Sequence, residues 1–430
     1  MASPRIGIIG AGPSGLGAAK ALLDAGLSSV VVFDKNERPG GNWVFDPRPG
    51  HSSVYETAHS ISSRRLSEFD GFPMPADYPD YPSHRQLQAY FASYADRFGV
   101  TQRIRFATEV TSAVPGADGR WQVSTSGANG QASETFDYLL VANGHHWDPR
   151  LPAYPGSFAG EFIHAHHYKS AEGFAGKRVL VIGGGNSACD IAVEIGRVSS
   201  RTCISMRRGY YFFPKFVFGR PVDMMGRRMR SWPRPFRQRT AQVVLRLVQG
   251  SNRRYGLQTP DHLPLAHHPT LNSELLYFIR HGRIHPKVEI ERFEENQVRF
   301  VDGSSETFDT VIAATGYKMS FPFLDRTIVD FSTGAPVPLY LNVFHPRLRS
   351  LFFIGLVQPV GCIWPLSELQ ARIVAREITG QWSRPADMEA SIRRQIENPH
   401  FRWGDSYRHA IEVDYHIYRR ELERELSKAA

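Results

Sequence analysis

Short, unbroken apolar runs punctuate this chain. Residues 6–9, 30–33, 138–142, 179–182, 202–205, 310–314 and 350–355 each read as strands with little in–out alternation. Strands covered on both faces lose alternation and become continuously apolar, as in a parallel sheet under helices. A helical period appears at 83–98, where Leu87, Tyr90, Phe91, Tyr94 and Phe98 form one stripe. Ser83 and Gln86 make a capping box at its start, and Gly99 stops it. A hairpin is predicted around 116–119 and a second over 288–308, turned at Asp302-Gly303. Residues 36–82, rich in Pro, Gly and aromatics, read as an ordered irregular region, and the tail from Pro385 is charged and helical in pattern. The pattern predicts an α/β fold.

Two of the apolar runs end in glycine fingerprints. Gly10-Ala11-Gly12-Pro13-Ser14-Gly15 follows the first, and Gly183-Gly184-Gly185-Asn186-Ser187-Ala188 follows the run at 179–182. In each, the first glycine permits a tight turn, the second admits a pyrophosphate, and the third position lets helix and strand pack closely. The phosphate then rests on the open N–H groups of the helix start. One such match is weak; two, at strand-to-helix junctions, predict two dinucleotides on one chain. After the first, the run Val30–Phe33 ends in Asp34, an acceptor for ribose hydroxyls that would repel a 2′-phosphate. FAD or NAD fits there. After the second, Arg207 and Arg208 stand where an acid would, and a guanidinium pairs with phosphate, so that site reads as NADP.

Composition narrows the picture. The 430 residues, 42% hydrophobic and 22% charged, suffice for at least two domains. No run of eighteen apolar residues occurs, so no transmembrane helix is expected, and residues 1–5 lead straight into the first strand, so no signal peptide is expected. Cys189, Cys203 and Cys362, an odd and sparse set, argue for a reducing, cytoplasmic setting without a zinc site. The adjacent pairs His145-His146 and His166-His167 make poor chelates, and no metal is expected. Net charge is +9. The densest basic stretch, 227–239, holds Arg227, Arg228, Arg230, Arg234, Arg237 and Arg239 interleaved with Trp232 and Phe236. Pro233 and Pro235 argue against a regular helix there, and an apolar run at 243–248 follows. An insertion folded against the second nucleotide unit or a subunit partner is the first reading; contact with an anionic membrane surface is the alternative. No nucleic-acid partner is expected.

The stretch Phe158-Ala-Gly160-Glu-Phe-Ile-His164-Ala-His-His-Tyr168-Lys169 completes the pattern F-x-G-x-x-x-H-x-x-x-[FY]. With residues 72–79, 186–190, 314–317 and 368–372 it makes the chain resemble the flavin-containing monooxygenases, which use FAD and NADPH. The resemblance implies two Rossmann-like domains, the NADP domain (171–318, with an insertion at about 210–270) set inside the FAD domain (1–170 and 319–430). It implies oxygenation of a soft nitrogen or sulfur in a small molecule by O2 through a flavin C4a-hydroperoxide, with no catalytic side chain required. Gly10, Gly12, Pro13, Ser14, Gly15, Asp34, Lys35, Asn42, Trp43, Ser62 and Gln370 are expected at FAD; Gly183, Gly185, Asn186, Ser187, Ala188, Arg207 and Arg208 at NADP. His164 is expected to position the linker between domains. One departure stands out: Ile61 occupies the place of the family's asparagine near the flavin, with Ser62 beside it. An isoleucine donates no hydrogen bond. Baeyer–Villiger oxygenation of ketones, and a redox protein binding both cofactors without turnover, stay open, as does a homodimer.

Overall fold

A computed structural model describes residues 3–48, 52–128, 130–225, 232–266, 269–331, 338–400 and 411–428. The chain forms two compact units: Met1–Phe45, Ala58–His146 and Lys318–Ala430 make the first, and Asp46–Thr57 with Trp147–Tyr317 the second.

The first unit is organised by a five-stranded parallel sheet in the order Leu351–Phe353, Tyr138–Val141, Ile6–Ile9, Val30–Phe33, Ile104–Arg105. Ile6 is in register with both Val30 and Tyr138, and all four residues of Ile6–Ile9 are buried. Helices Pro13–Asp24 and Trp364–Ile378 pack together, with Gly17 admitting Glu368: a Cβ on Gly17 would lie 3.5 Å from the Glu368 Cβ. Helix His84–Arg97 starts at the expected box, Gln86 N donating to Ser83 Oγ and Ser83 N to Gln86 Oε1. The hairpin at 116–119 joins Thr108–Pro115 to Trp121–Gly127, and a third strand, Gly130–Phe136, extends it. That strand is exposed over most of its length, so it carries no apolar signal.

The second unit repeats the plan. Its parallel sheet runs Glu161–His164, Thr310–Ala313, Arg178–Ile182, Arg201–Ser205, Ile284–Lys287. This moves the expected boundary at 171. Residues from Trp147 belong to the second unit, because Glu161–His164 pairs with Thr310–Ala313 as an edge strand. The irregular region 36–82 is divided as well, its residues Asp46–Thr57 joining this unit. The expected hairpin at 288–308 is a three-stranded meander, Ile290–Glu295, Gln297–Phe300 and Ser305–Thr307. Its second turn holds Asp302-Gly303; its first is made by Glu295 at φ 55°, a left-handed residue with no glycine to announce it.

Prolines 233 and 235 do not prevent a helix. Arg234–Gln249 is helical, with Pro235 in its first turn, where a missing N–H costs nothing. Arg227, Arg228 and Arg230 lie outside the described residues.

Glu306 ties this unit's edge together, taking a 2.7 Å ion pair from Lys287 and another from Arg201. Partial burial alone raises its carboxyl, but the Arg201 and Lys287 hydrogen bonds prevail and hold it at about 2. A depressed pKa gives stability that is present above the ordinary glutamate value and lost as pH falls towards 2. Glu306→Gln should therefore destabilise the protein at neutral pH by on the order of 1 kcal/mol, the pair being part-exposed and screened. Denaturation curves of the two proteins should converge as pH drops from about 4.5 to 2; a constant gap across that window would contradict the assignment.

Candidate functional site

Each sheet ends in a glycine turn, and each turn is shaped by backbone packed on backbone. In the first unit Gly10 has φ 107°, and a Cβ there would sit 2.6 Å from the Ala142 carbonyl oxygen. A Cβ on Gly15 would lie 1.8 Å from the Gly10 oxygen. Gly12 caps the helix Pro13–Asp24, whose first turn has no capping side chain and no acid. Its N–H groups are thus left for an anion. A second glycine pair, Gly40-Gly41, folds over the first. Gly40 N donates to the Ala11 oxygen at 3.0 Å. Gly41 has φ 56°, and its Cβ would fall 2.7 Å from Gly12 Cα.

Asp34 is buried, and it is more than a ribose acceptor. Its Oδ2 accepts from Ala11 N at 2.6 Å and its Oδ1 from Asn36 N at 2.8 Å. The carboxylate therefore bolts the glycine turn to the end of Val30–Phe33. Lys35 and Asn42 are exposed. Trp43 meets Trp364 edge-on with ring centres 6.1 Å apart. Ser14 packs against Gly355, whose Cβ would be 2.2 Å from the Ser14 hydroxyl. Gln370 braces that approach: its Oε1 accepts from Gly355 N at 2.8 Å and its Nε2 donates to the Tyr418 hydroxyl at 2.7 Å. Its amide thus bridges Gly355 and Tyr418.

Ile61 is half-buried and Ser62 buried. The hydroxyls of Ser62 and Ser67 lie 2.8 Å apart, and the Trp364 indole donates to the Ser67 carbonyl. Cys362 completes this group, and burial pushes its thiol well up, so it stays protonated. Ser62 is thus part of an internal cluster.

In the second unit Gly183 has φ 131°, with room denied to a Cβ by the Ala314 oxygen at 2.5 Å. Gly184 lies under the Tyr210 ring, 2.4 Å from where a Cβ would be. Gly185 has nothing within 4 Å of its Cβ direction and caps helix Asn186–Ile195, which again has no capping side chain and no first-turn acid. Asn186 Oδ1 accepts from Leu271 N at 2.7 Å, which fixes the loop beside the turn. Ser187 is exposed and Ala188 buried beneath Gly183.

Arg207 is exposed, and Arg208 half-buried. The Arg208 guanidinium lies over Tyr210 at 5.5 Å, and its buried Nε has no hydrogen-bond partner among the described residues. Tyr210 thus covers Gly184 and carries Arg208, a link that the sequence does not announce. Asp190, further along the helix, was also missed. It accepts from the Tyr55 hydroxyl at 2.9 Å and Asn272 Nδ2 at 2.7 Å.

His164 ends the edge strand of the second sheet. Burial, with the imidazoles of His166 and His167, pushes it down to about 4, so it is neutral at physiological pH. Its Nδ1 accepts from His166 N at 3.1 Å, and its ring meets Tyr317 edge-on. In the same motif Gly160 is required because a Cβ would meet the Asp309 oxygen at 2.6 Å.

Comparison with known proteins agrees with this geometry. The family model described as flavin-binding monooxygenase-like matches residues 3–429. The chain is 36% identical to flavin-containing monooxygenase 5 of Rattus norvegicus, over 96% of this chain and 81% of the relative. It is 35% identical to dimethylaniline monooxygenase [N-oxide-forming] 2 of Oryctolagus cuniculus, over 98% and 82%. Among solved structures, S-allyl-L-cysteine S-oxygenase from Allium sativum superposes with TM-score 0.74 at 24% identity, covering 100% of this chain and 90% of that one. Cyclohexanone monooxygenase from Rhodococcus sp. Phi1, bound to NADP+, gives 0.76 at 21% identity, covering 99% and 97%. These two share the fold.

Two glycines separate shape from strain. Gly26 has φ 80° with nothing within 4 Å of a Cβ, whereas Gly41 has φ 56° and strikes Gly12. Gly26→Ala should cost about 1 kcal/mol of stability, the left-handed penalty alone, and keep the dinucleotide content of the purified protein. Gly41→Ala should cost more and lower that content. Equal retention in both variants, read by absorbance of released cofactor, would contradict the closure of Gly41 over the first turn.

Proposed function

The chain belongs to the flavin-binding monooxygenase-like family, and from that premise we propose that the first glycine turn holds FAD and the second NADPH. The protein is an FAD-dependent NADPH monooxygenase acting with O2 on a small molecule. Its reaction is oxygenation of a soft nitrogen or sulfur. The observation that carries the division of cofactors is the contrast at the two strand ends. Asp34 closes the first with a carboxylate, and Arg208 closes the second with a guanidinium whose buried Nε has no hydrogen-bond partner among the described residues.

Both turns fit a dinucleotide. Around Gly12 a pyrophosphate meets uncapped helix N–H groups, with Ser14 in the same first turn. The carboxylate of Asp34 excludes a 2′-phosphate by repulsion and suits ribose hydroxyls. Around Gly185 the open backbone and uncapped helix offer the same cradle, and Arg207 and Arg208 supply the positive charge for a 2′-phosphate. The Arg208 Nε, buried and without a partner among the described residues, supports the reading, since a buried charged donor left unpaired is costly.

When bound, the flavin supplies the redox and oxygen-activating chemistry. The chain's residues bind, orient and exclude water. Ile61 adds bulk without a side-chain donor, and the Ser62 hydroxyl shares a hydrogen bond with that of Ser67. His164 serves as neutral packing at the edge of the second sheet. A cytoplasmic setting is part of this reading, supported by three buried, unpaired cysteines. No helix among the described residues is long and apolar enough to cross a membrane.

The test uses an arylamine or thioether with NADPH and O2, following N-oxide or S-oxide. Arg208→Ala should raise the KM for NADPH roughly 10- to 150-fold, the loss of one charge-assisted phosphate pair, and leave NADH nearly unchanged. Equal losses for both nicotinamides, or no oxygenated product from the wild type, would contradict the assignment.

A further inference from the structure

Arg207 and Arg208 stand in a short span, residues 206–210, that is neither helix nor strand. Met206 N donates to the Lys287 oxygen at 3.1 Å, which ties the start of the span to the sheet. The rest is held by a segment far along the chain. Gln258 Nε2 donates to the Met206 oxygen at 3.0 Å, and Asn252 Nδ2 donates to the Tyr210 oxygen at 2.9 Å, from 52 and 42 residues away. Asn252 Nδ2 also donates to the Gln258 oxygen at 3.0 Å, joining the two holding points. Between them Gly209 lies backbone on backbone: a Cβ there would fall 2.4 Å from Pro260 N. Gly209 is not one of the left-handed glycines, so space alone excludes a side chain there.

The holding segment is itself stiff. Asn252–Tyr255 is a single 3-10 turn ended by Gly256 at φ 70°, and Leu257 N returns to the Asn252 oxygen at 3.1 Å. Leu257 is buried, and the Arg280 guanidinium donates to the Arg254 oxygen at 3.1 Å. The span needs such a clamp. The Arg208 Nε is buried with no partner among the described residues, and an outward swing of the span would hydrate it. Hydrogen bonds at both ends and a backbone contact in the middle deny the span that movement. They also keep the Tyr210 ring over Gly184 and under the Arg208 guanidinium.

We propose that Gly209, Asn252 and Gln258 are positioning residues for the 2′-phosphate: they fix the span 206–210 and so set the preference for NADPH over NADH. The inference rests on the reading of Arg208 given above. Pairing of a guanidinium with phosphate depends on geometry, and a donor held in place beforehand removes the cost of ordering it from binding. None of the three residues carries a charge; each acts through Arg208. Coenzyme selection then depends on side-chain amides distant in sequence from the arginines that they serve.

The experiment is calorimetric titration of the flavin-loaded protein with adenosine 2′,5′-bisphosphate, against 5′-AMP, which lacks only the 2′-phosphate. Asn252→Ala and Gln258→Met should each weaken the bisphosphate roughly 3- to 10-fold and leave 5′-AMP within about twofold. Gly209→Ala must push Pro260 aside and should weaken the bisphosphate at least as much. Should it disturb folding, the two amide variants, at half-buried positions, carry the test. The KM for NADPH should rise by the same factor and that for NADH should not. In an Arg208→Ala background the same substitutions should change bisphosphate binding by less than about twofold, because the group they position is gone. The inference is overturned if both nucleotides weaken alike, if neither weakens, or if the effects multiply with that of Arg208→Ala. In those cases Arg208→Ala alone still weakens the bisphosphate roughly tenfold or more. If it does not, the reading of Arg208 falls and this inference falls with it.

Discussion

A carbonyl oxygen 1.8 Å from where Gly15 would carry its Cβ governs the first half of this protein. Strand and helix can come this close only with a hydrogen in place of a side chain at residue 15. That approach aims the start of helix Pro13–Asp24 out of the carboxyl end of the sheet, where its N–H groups have no side-chain partner. The second half is held by a related contact, Gly183 against the Ala314 oxygen. Everything ascribed to the two sites rests on these approaches: the uncapped helix starts, the open backbone at Gly185, and the side chains placed just beyond.

The two halves then diverge in what they add. In the first, Asp34 ties the turn to its neighbouring strand, Gly40-Gly41 folds over it, and Gly355 with Gln370 presses on Ser14. The result is a turn enclosed by backbone on several sides. In the second, Tyr210 covers Gly184 and Arg208 stands against that ring, while Gly185 stays open.

Much of this was legible because the signals were local. The capping box of Ser83 and Gln86 needs only four consecutive residues, and strands buried on both faces are continuously apolar. The glycine turns were readable because backbone contact excludes every other residue. What escaped depended on partners distant in the chain. Glu161–His164 is an edge strand of mixed polarity, and it became a strand by pairing with residues 310–313. Helix Arg234–Gln249 was hidden by prolines that sit at its start, where they are tolerated. The bridge that the Gln370 amide makes between Gly355 and Tyr418 is of the same kind. Tyr210, Asp190 and Gly41 went unnoticed because their importance lies in what they touch.

The central claim is that one chain holds two dinucleotides and passes electrons from the second to the first. Its most direct test is anaerobic titration of the purified, flavin-loaded protein with NADPH, following the oxidised-flavin absorbance. The account predicts full bleaching with one equivalent of NADPH per chain, fast with NADPH and slow with NADH at equal low concentration. A yellow protein that NADPH leaves unbleached, or that NADH bleaches equally well, would contradict it.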